Sequence, residues 1–374
     1  MLCSPVISRF FKQNVWGALK TAIVVVLPIV ASSCSQKENV PESVPPTPVK
    51  VTIDNTQPRR DVNGQIIDAH GGCLQFFSGK FYLYGTAYGS RKDSLDTNNY
   101  FCVYSSPDLE QWTLEGKLLA EQPAGVYTRP YVVFNPATSK YVLWYNWFPT
   151  LWNGQAGVAV SDTPTGPFVV TNLSAHLIGK CPGDGSLFVD DNGMGYYIYT
   201  SMKENYGVRV ECLKPDFLDT TGEAGNVMAT GCEAPVLFRR NNTYYASCGP
   251  VCSDCANGSE VQIFTATSPL GPYTTKPQDN INRPPDSRVE FLLKNGSISR
   301  PQTNYSVIVA AQQTWVAKFL VPDGAIFIWM GDRWESRPDG MKGHDFQFWS
   351  PPLEFTTNGD ILPLKNAGRW YLMK

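Results

Sequence analysis

Five times along the chain, a run of apolar residues leads into a polar turn and then into an aromatic-rich run. The copies are Cys73–Tyr84, Tyr131–Tyr145, Leu187–Tyr199, Val236–Ser247 and a less regular one ending in Ala325–Met330. Alternating β-formers on either side of turn residues predict a hairpin in each copy. A second element follows in several of them: Tyr104–Trp112, Val160–Phe168 and Ala266–Tyr273 read as an outer strand with its closing turn. The copies start near residues 70, 129, 184, 233 and 312, a spacing of about 50–60 residues with one longer gap. Periods of this size mean a propeller or a solenoid, and repeated all-β hairpins select the propeller. The expected fold class is therefore all-β, a five-bladed β-propeller over residues 61–374, with the core spread around a ring and no blade able to fold alone.

Composition agrees. Charged residues make up only 17% of the 374, while 31 Gly, 29 Pro, 18 Tyr, 19 Phe and 10 Trp suit many short strands joined by tight turns. That mixture excludes a helical bundle, a coiled coil and a disordered tail. A net charge of −2 leaves no basic field, so nucleic acid is excluded as a partner.

The N-terminus reads as an address. Arg9, Lys12 and Lys20 precede an apolar run from Thr21 to Ala31, too short to cross a bilayer but suited to a signal-peptide core. Residues 1–34 are expected to be a signal peptide and 35–60, with Pro41, Pro45, Pro46 and Pro48, a flexible tether. The expected location is extracellular. The alternatives are an uncleaved anchor or lipidation at Cys34 behind Ala31-Ser32-Ser33. Eight cysteines follow: Cys73, Cys102, Cys181, Cys212, Cys232, Cys248, Cys252 and Cys255. An even number in a secreted chain reads as disulfides. The cluster Cys248, Cys252 and Cys255 is read as a stapled loop rather than a zinc site, because no histidine lies close by. Asn172, Asn241, Asn257, Asn295 and Asn304 head N-glycosylation sequons.

Blade starts carry the candidate chemistry. In a propeller the inner strands point their leading ends into one funnel, so residues far apart in sequence converge there. These starts are Asp68-Ala-His70, Tyr127-Thr128-Arg129, Gly183-Asp184, Cys232-Glu233 and Gln312-Gln313. Carboxylates, an amide, an imidazole and a guanidinium in equivalent places suit a carbohydrate ligand. Tyr127, Trp147, Trp152 and Trp334 are the candidate stacking platforms for sugar rings.

Asp68–Gly72, Glu233–Phe238, Ala311–Val316 and Met330–Trp334 together resemble glycoside hydrolase family 43, and within it the branch of exo-β-1,3-galactanases. The resemblance runs over roughly residues 61–370. It implies an inverting, exo-acting hydrolase of β-1,3-linked galactose in galactan or arabinogalactan. Inversion requires a protonated acid at the leaving oxygen and a base for water on the opposite ring face, about 6.5–9.5 Å away. The resemblance makes Glu233 the general acid, Asp184 the neighbour that raises its pKa, and Gln312 the residue that positions water. His70, Thr128 and Arg129 would contact or support the sugar, with His70 either bonded within the funnel or ligating a central structural ion. No cofactor is otherwise implied, the partner is a polysaccharide or oligosaccharide, and a monomer is expected.

Two departures from the family pattern stand out. Ala69-His70-Gly71 replaces the usual first-blade Asp start, and Thr128 stands where the branch carries a sugar-binding Glu. They keep two further readings open: a catalytically weak or inactive propeller that binds glycans, and an arabinofuranosidase or xylosidase, which the missing first-blade Asp disfavours.

Overall fold

The computed structural model describes residues 50–91, 99–252, 255–276, 278–284, 307–321 and 324–373, plus the backbone of short strands at 293–294 and 297–298. The expected signal peptide, Cys34, most of the expected tether and the sequons at Asn295 and Asn304 lie outside them. No helix among the described residues is long and apolar enough to cross a membrane.

Five antiparallel sheets succeed one another along the chain. After β1 (Lys50–Asp54), blade one holds β2 (Leu74–Phe77), β3 (Lys80–Ala87), β4 (Tyr100–Ser106) and β5 (Thr113–Lys117). Blade two holds β6 (Val126–Asn135), β7 (Lys140–Phe148), β8 (Gln155–Ser161) and β9 (Val169–Asn172). Blade three holds β10 (Pro182–Val189), β11 (Gly195–Ser201), β12 (Gly207–Leu213) and β13 (Thr220–Ala224). Blade four holds β14 (Cys232–Arg240), β15 (Thr243–Pro250) and β16 (Gln262–Ala266). The small hairpin β17 (Leu293–Lys294) and β18 (Ser297–Ile298) comes next, then blade five with β19 (Gln312–Val321), β20 (Gly324–Arg333) and β21 (Phe346–Pro352), and finally β22 (Arg369–Met373). Neighbouring inner strands touch in the order β6, β10, β14, β19, and β19 returns to β2, which closes the ring.

Burial follows this radial order. β11 is buried at every position and β3 at all but its first, because a strand in mid-blade is covered on both faces by neighbouring blades. The outer β5 and β9 show no buried residue. Aromatic pairs wedge each blade interface: Phe77–Tyr141, Trp144–Tyr197, Phe188–Tyr244, Phe238–Phe327 and Phe319–Phe81, at centroid separations of 4.7–6.2 Å. Such pairs combine large apolar area with favourable edge-to-face electrostatics, which explains why so wide a ring needs so many aromatic residues.

The expected tether is partly corrected. β1 falls inside residues 35–60 yet pairs in register with β22, from Lys50↔Met373 to Asp54↔Arg369, and buries Val51 and Ile53. Asn55 then staples the two ends to blade five. Its amide donates to Trp349 O and Ala367 O, both at 2.9 Å, and its oxygen accepts from Trp349 N at 3.0 Å. The disulfide framework is corrected as well. Among the described residues only Cys252–Cys255 is bonded, while Cys73, Cys102, Cys181, Cys212, Cys232 and Cys248 are free thiols, all but Cys181 buried. Five of them fill small apolar positions inside the blades, the usual place of a buried free cysteine.

Candidate active site

The funnel end of each longer inner strand is irregular. Register breaks at Thr128/Tyr131 in β6, Pro182/Gly185 in β10, Glu233/Val236 in β14 and Gln313/Trp315 in β19. Two of the breaks have a visible cause. Pro130 and Pro235 have no N–H for the ladder, and the residues before them, Arg129 (φ 56°) and Ala234 (φ 53°), turn left-handed. Gly71 takes the matching conformation in blade one (φ 67°). There the backbones approach so closely that a Cβ on Gly85 would lie 2.2 Å from the Ala69 carbonyl carbon. The bulges interrupt strict in-out alternation just where side chains must be aimed into the funnel.

Glu233 is half-buried, and its Oε1 accepts from Gln312 Nε2 at 2.9 Å and from the Cys252 N–H at 3.2 Å. Burial first and the negative charge of Asp184 second push its carboxyl up to about 8, against the opposing pull of the Cys252 N–H, Arg129 and Gln312. It is thus protonated at neutral pH, the state a general acid requires. Asp184 Oδ2 accepts from Arg129 Nη2 at 2.8 Å and from the Ala234 N–H at 3.1 Å. Arg129 is buried and also donates from Nη1 to Gln313 O at 2.9 Å. Although burial alone would lower it, the carboxylate of Asp184 holds its guanidinium above the ordinary value. The expected trio Glu233, Asp184 and Arg129 therefore meets.

Gln312 joins them, with its amide oriented from both ends. Its Oε1 accepts from Trp334 Nε1 at 2.9 Å while its Nε2 donates to Glu233. That direct contact is much closer than the gap an inverting pair needs for water and sugar.

His70 is fully buried in the funnel wall, with Nδ1 3.3 Å from Asp332 Oδ1 and Nε2 3.3 Å from Gly343 O. Desolvation opposes its charge, but Asp332 and Asp68 outweigh it and raise the imidazole to about 9. With both ring nitrogens engaged, by Asp332 and by the Gly343 carbonyl, His70 supports the wall. Asp332 also accepts from the Gly71 N–H at 2.7 Å, and Asp68 from the Tyr88 and Gly89 N–H groups. Trp334 lies half-buried against His70 and Tyr88, at centroid distances of 5.4 and 6.0 Å.

The remaining aromatic expectations divide. Tyr127 and Trp147 stack on one another inside blade two, with polar ends bonded to Pro123 O and Leu173 O, so their faces serve the core and not a sugar. Strong β-formers at a strand end look like a loop platform only when their pairing partners are unknown. Trp152 is 66% exposed in the β7–β8 turn, against Cys181 at the start of blade three.

Several important side chains carried no strong signal in the sequence. Gln313 accepts from Ser247 Oγ and Trp329 Nε1 and donates to Ala234 O, tying blades four and five below the site. Asn146, the cross-strand partner of Thr128, is fully buried against the hydroxyl of Tyr197. Thr128 Oγ1 is buried with no hydrogen-bond partner among the described residues. A buried hydroxyl without a partner is rare. By contrast, a cavity of about 280 Å³ at the other end of the channel is lined by Phe77, Phe134, Phe188, Trp315 and Phe319. Its charges, Asp191, Arg239 and Lys318, pair with one another, and it holds no acid–base couple.

Comparison with known proteins agrees with this fold. Among solved structures, a family 43 β-1,3-galactosidase superposes with a TM-score of 0.68 at 24% identity, covering 87% of this chain and 64% of that one. An exo-β-1,3-galactanase from Clostridium thermocellum gives 0.66 at 24% identity, over 85% and 66%. The exo-β-1,3-galactanase of Phanerochaete chrysosporium, solved with galactose, gives 0.67 at 22%, over 86% and 68%. The chain spans just under two thirds of the length of the first two, and identities this low speak for the fold. No protein of curated function matches the sequence. The family profile for glycosyl hydrolases family 43 matches residues 77–324, about two thirds of the chain, and ends inside blade five. On that match, the chain belongs to glycosyl hydrolases family 43.

Proposed function

We propose that this glycoside hydrolase removes terminal β-1,3-linked galactose from galactan or arabinogalactan by an inverting, exo-acting mechanism. The observation that carries the reading is the Glu233–Asp184 couple: a carboxyl raised to about 8 beside a carboxylate held by Arg129. Glu233 protonates the glycosidic oxygen as the bond to the leaving sugar breaks. Asp184 keeps it protonated until that moment and, through the Ala234 N–H, fixes the bulge that presents it. Sugar entry separates Gln312 from Glu233, and the freed amide positions a water against the anomeric carbon while Trp334 keeps Oε1 in place; as the water's oxygen bonds to that carbon, its proton passes to solvent. Thr128 supplies a hydroxyl partner for the sugar. The leading N-terminal apolar run supports secretion of the mature chain.

The direct Gln312–Glu233 contact and Thr128 in place of a carboxylate favour a second reading, a propeller that binds galactose-containing glycans with little or no turnover. Proton NMR of the protein with β-1,3-galactan separates the two. Initial release of α-galactose, abolished by Glu233→Gln in a variant that stays folded, is the expected result. Initial β-galactose overturns the inverting mechanism, and undiminished turnover by the variant removes Glu233 as the acid. Binding of galacto-oligosaccharides without release, repeated on arabinan and xylan, selects the second reading.

A further inference from the structure

The Cys252–Cys255 disulfide lies directly on the proposed acid. Glu233 Oε1 is 3.2 Å from Cys252 Sγ and 3.3 Å from Cys255 Sγ, and the three atoms fall within 4.8 Å of one another. The cysteines are three residues apart with Cα atoms separated by 5.2 Å, the short spacing by which two thiolates chelate one ion. Around a tetrahedral zinc, Zn–S bonds of about 2.3 Å and Zn–O bonds of about 2.0 Å put sulfur and carboxylate oxygen about 3.5 Å apart, and the two sulfurs about 3.8 Å apart. The oxygen–sulfur distances are already close to that figure, so only the bonded sulfurs need to move apart.

The surroundings hold the cluster in place. The Cys252 N–H donates to the same carboxylate oxygen, and Gly258 N–H closes a turn onto Cys255 O at 2.7 Å. Ser259 N–H then docks on Ala311 O at 3.1 Å, beside Gln312. Gly258 packs so tightly there that a Cβ would lie 2.5 Å from Ala311 N. One arm of the loop is thereby pinned to blade five and the other to blade four, with the sulfurs facing the carboxylate.

We propose that Cys252, Cys255 and Glu233 form a redox-gated binding site for a thiophilic divalent cation, which on binding takes the carboxylate away from the hydrolytic reaction. A dithiol reductant opens the gate. It delivers two electrons and two protons, the Cys252–Cys255 bond becomes two thiols, and the reductant leaves as its own disulfide. The cation then displaces the two thiol protons and coordinates both sulfurs and the carboxylate, leaving its fourth position for water. The disulfide form has no thiolates and does not bind. Metal binding is independent of the proposed galactanase activity, whereas the loss of hydrolysis rests on Glu233 being the acid.

The test uses full-length protein reduced with a phosphine, desalted without oxygen and titrated with Cd²⁺. The expected result is a thiolate-to-cadmium charge-transfer absorption saturating at one equivalent, present in the reduced and absent in the oxidised protein. Cys252→Ser/Cys255→Ser removes the absorption, and Glu233→Gln keeps it with at least about tenfold weaker binding, since one of three protein ligands is lost. No absorption in the reduced protein, or absorption that survives the double serine variant, overturns the site. Unchanged affinity in Glu233→Gln overturns the carboxylate's part in it. A protein that binds Cd²⁺ but releases no galactose keeps this site and loses the proposed function. If galactose is released, reduced protein with Zn²⁺ is inactive and recovers on chelation; full activity at saturating Zn²⁺ overturns the blocking of the acid.

Discussion

Replacing Asp184 by asparagine removes one negative charge next to Glu233 and leaves side-chain size almost unchanged. The new amide oxygen still accepts from the Ala234 N–H, so the bulge presenting Glu233 is kept. Two electrostatic changes act in the same direction: the repulsion that helps hold the carboxyl at about 8 disappears, and Arg129 loses its counter-charge. A neighbouring like charge is worth about one to two pKa units, so the acid should titrate at about 6–7, with burial sustaining the remainder. At pH 7 its protonated fraction falls from about nine tenths to between about a tenth and a half. The expected loss in kcat/KM is about two- to tenfold at pH 7 and close to none at pH 5. The assay is galactose release from β-1,3-galactan across pH 4–9, with thermal melting to verify folding. The alkaline limb should move to lower pH by the same one to two units. A uniform fall at every pH with the limb in place would refute the assignment of Asp184 as the group that tunes Glu233.

Further outcomes follow from other contacts. Thr128→Glu restores a charged partner for a sugar hydroxyl and should lower KM for galactan about ten- to a hundredfold, with charge-assisted bonds worth about 1.5–3 kcal/mol; an unchanged KM means the position does not face the sugar. The folded-state pKa of His70, about 9, lies above the ordinary 6.5. Its pairing with Asp332 and Asp68 therefore contributes fully below about pH 6.5 and is lost as pH rises through about 9. On the order of 3 kcal/mol is involved, so the melting-temperature gap between wild type and His70→Gln should shrink over that window, and a gap that widens contradicts the pairing. Asn55→Ala leaves the Trp349 and Ala367 groups unpaired inside the ring closure. It should cost about 2–4 kcal/mol in urea unfolding, and a loss under about 1 kcal/mol would show that water replaces the staple.

The propeller was legible because its evidence repeats. Five hairpins each carry their own turn chemistry, and β2–β3, β6–β7, β10–β11, β14–β15 and β19–β20 form where the alternation placed them. The convergence of the candidate residues was legible for the same reason, since equivalent positions of a repeat meet, and Asp184, Glu233, Arg129 and Gln312 do so. Contacts between repeats left no local trace. Gln313 differs from Gln312 only in which way the bulge turns it, and Asn146 matters only because β6 sets Thr128 opposite it. β1 was hidden in a polar, Pro-rich stretch because its pairing partner lies over three hundred residues away. Tyr127 and Trp147 misled because an aromatic at a strand end has the same sequence signature whether it faces the core or the funnel.

The pairing of Lys50 with Met373 also bears on how this chain can be rewired. Antiparallel partners sit about 5 Å apart, so a linker of a few glycine and serine residues would join these two positions without disturbing β1 or β22. The ring could then be cut at the exposed Ser78-Gly79 turn between β2 and β3, at the mouth remote from Glu233. Such a circular permutant would keep every blade interface and every funnel contact while moving the point where synthesis begins into blade one. The seam between β1 and β22 is thus a fastening whose order in the chain is interchangeable, and the working surface of the molecule does not depend on where the polypeptide starts.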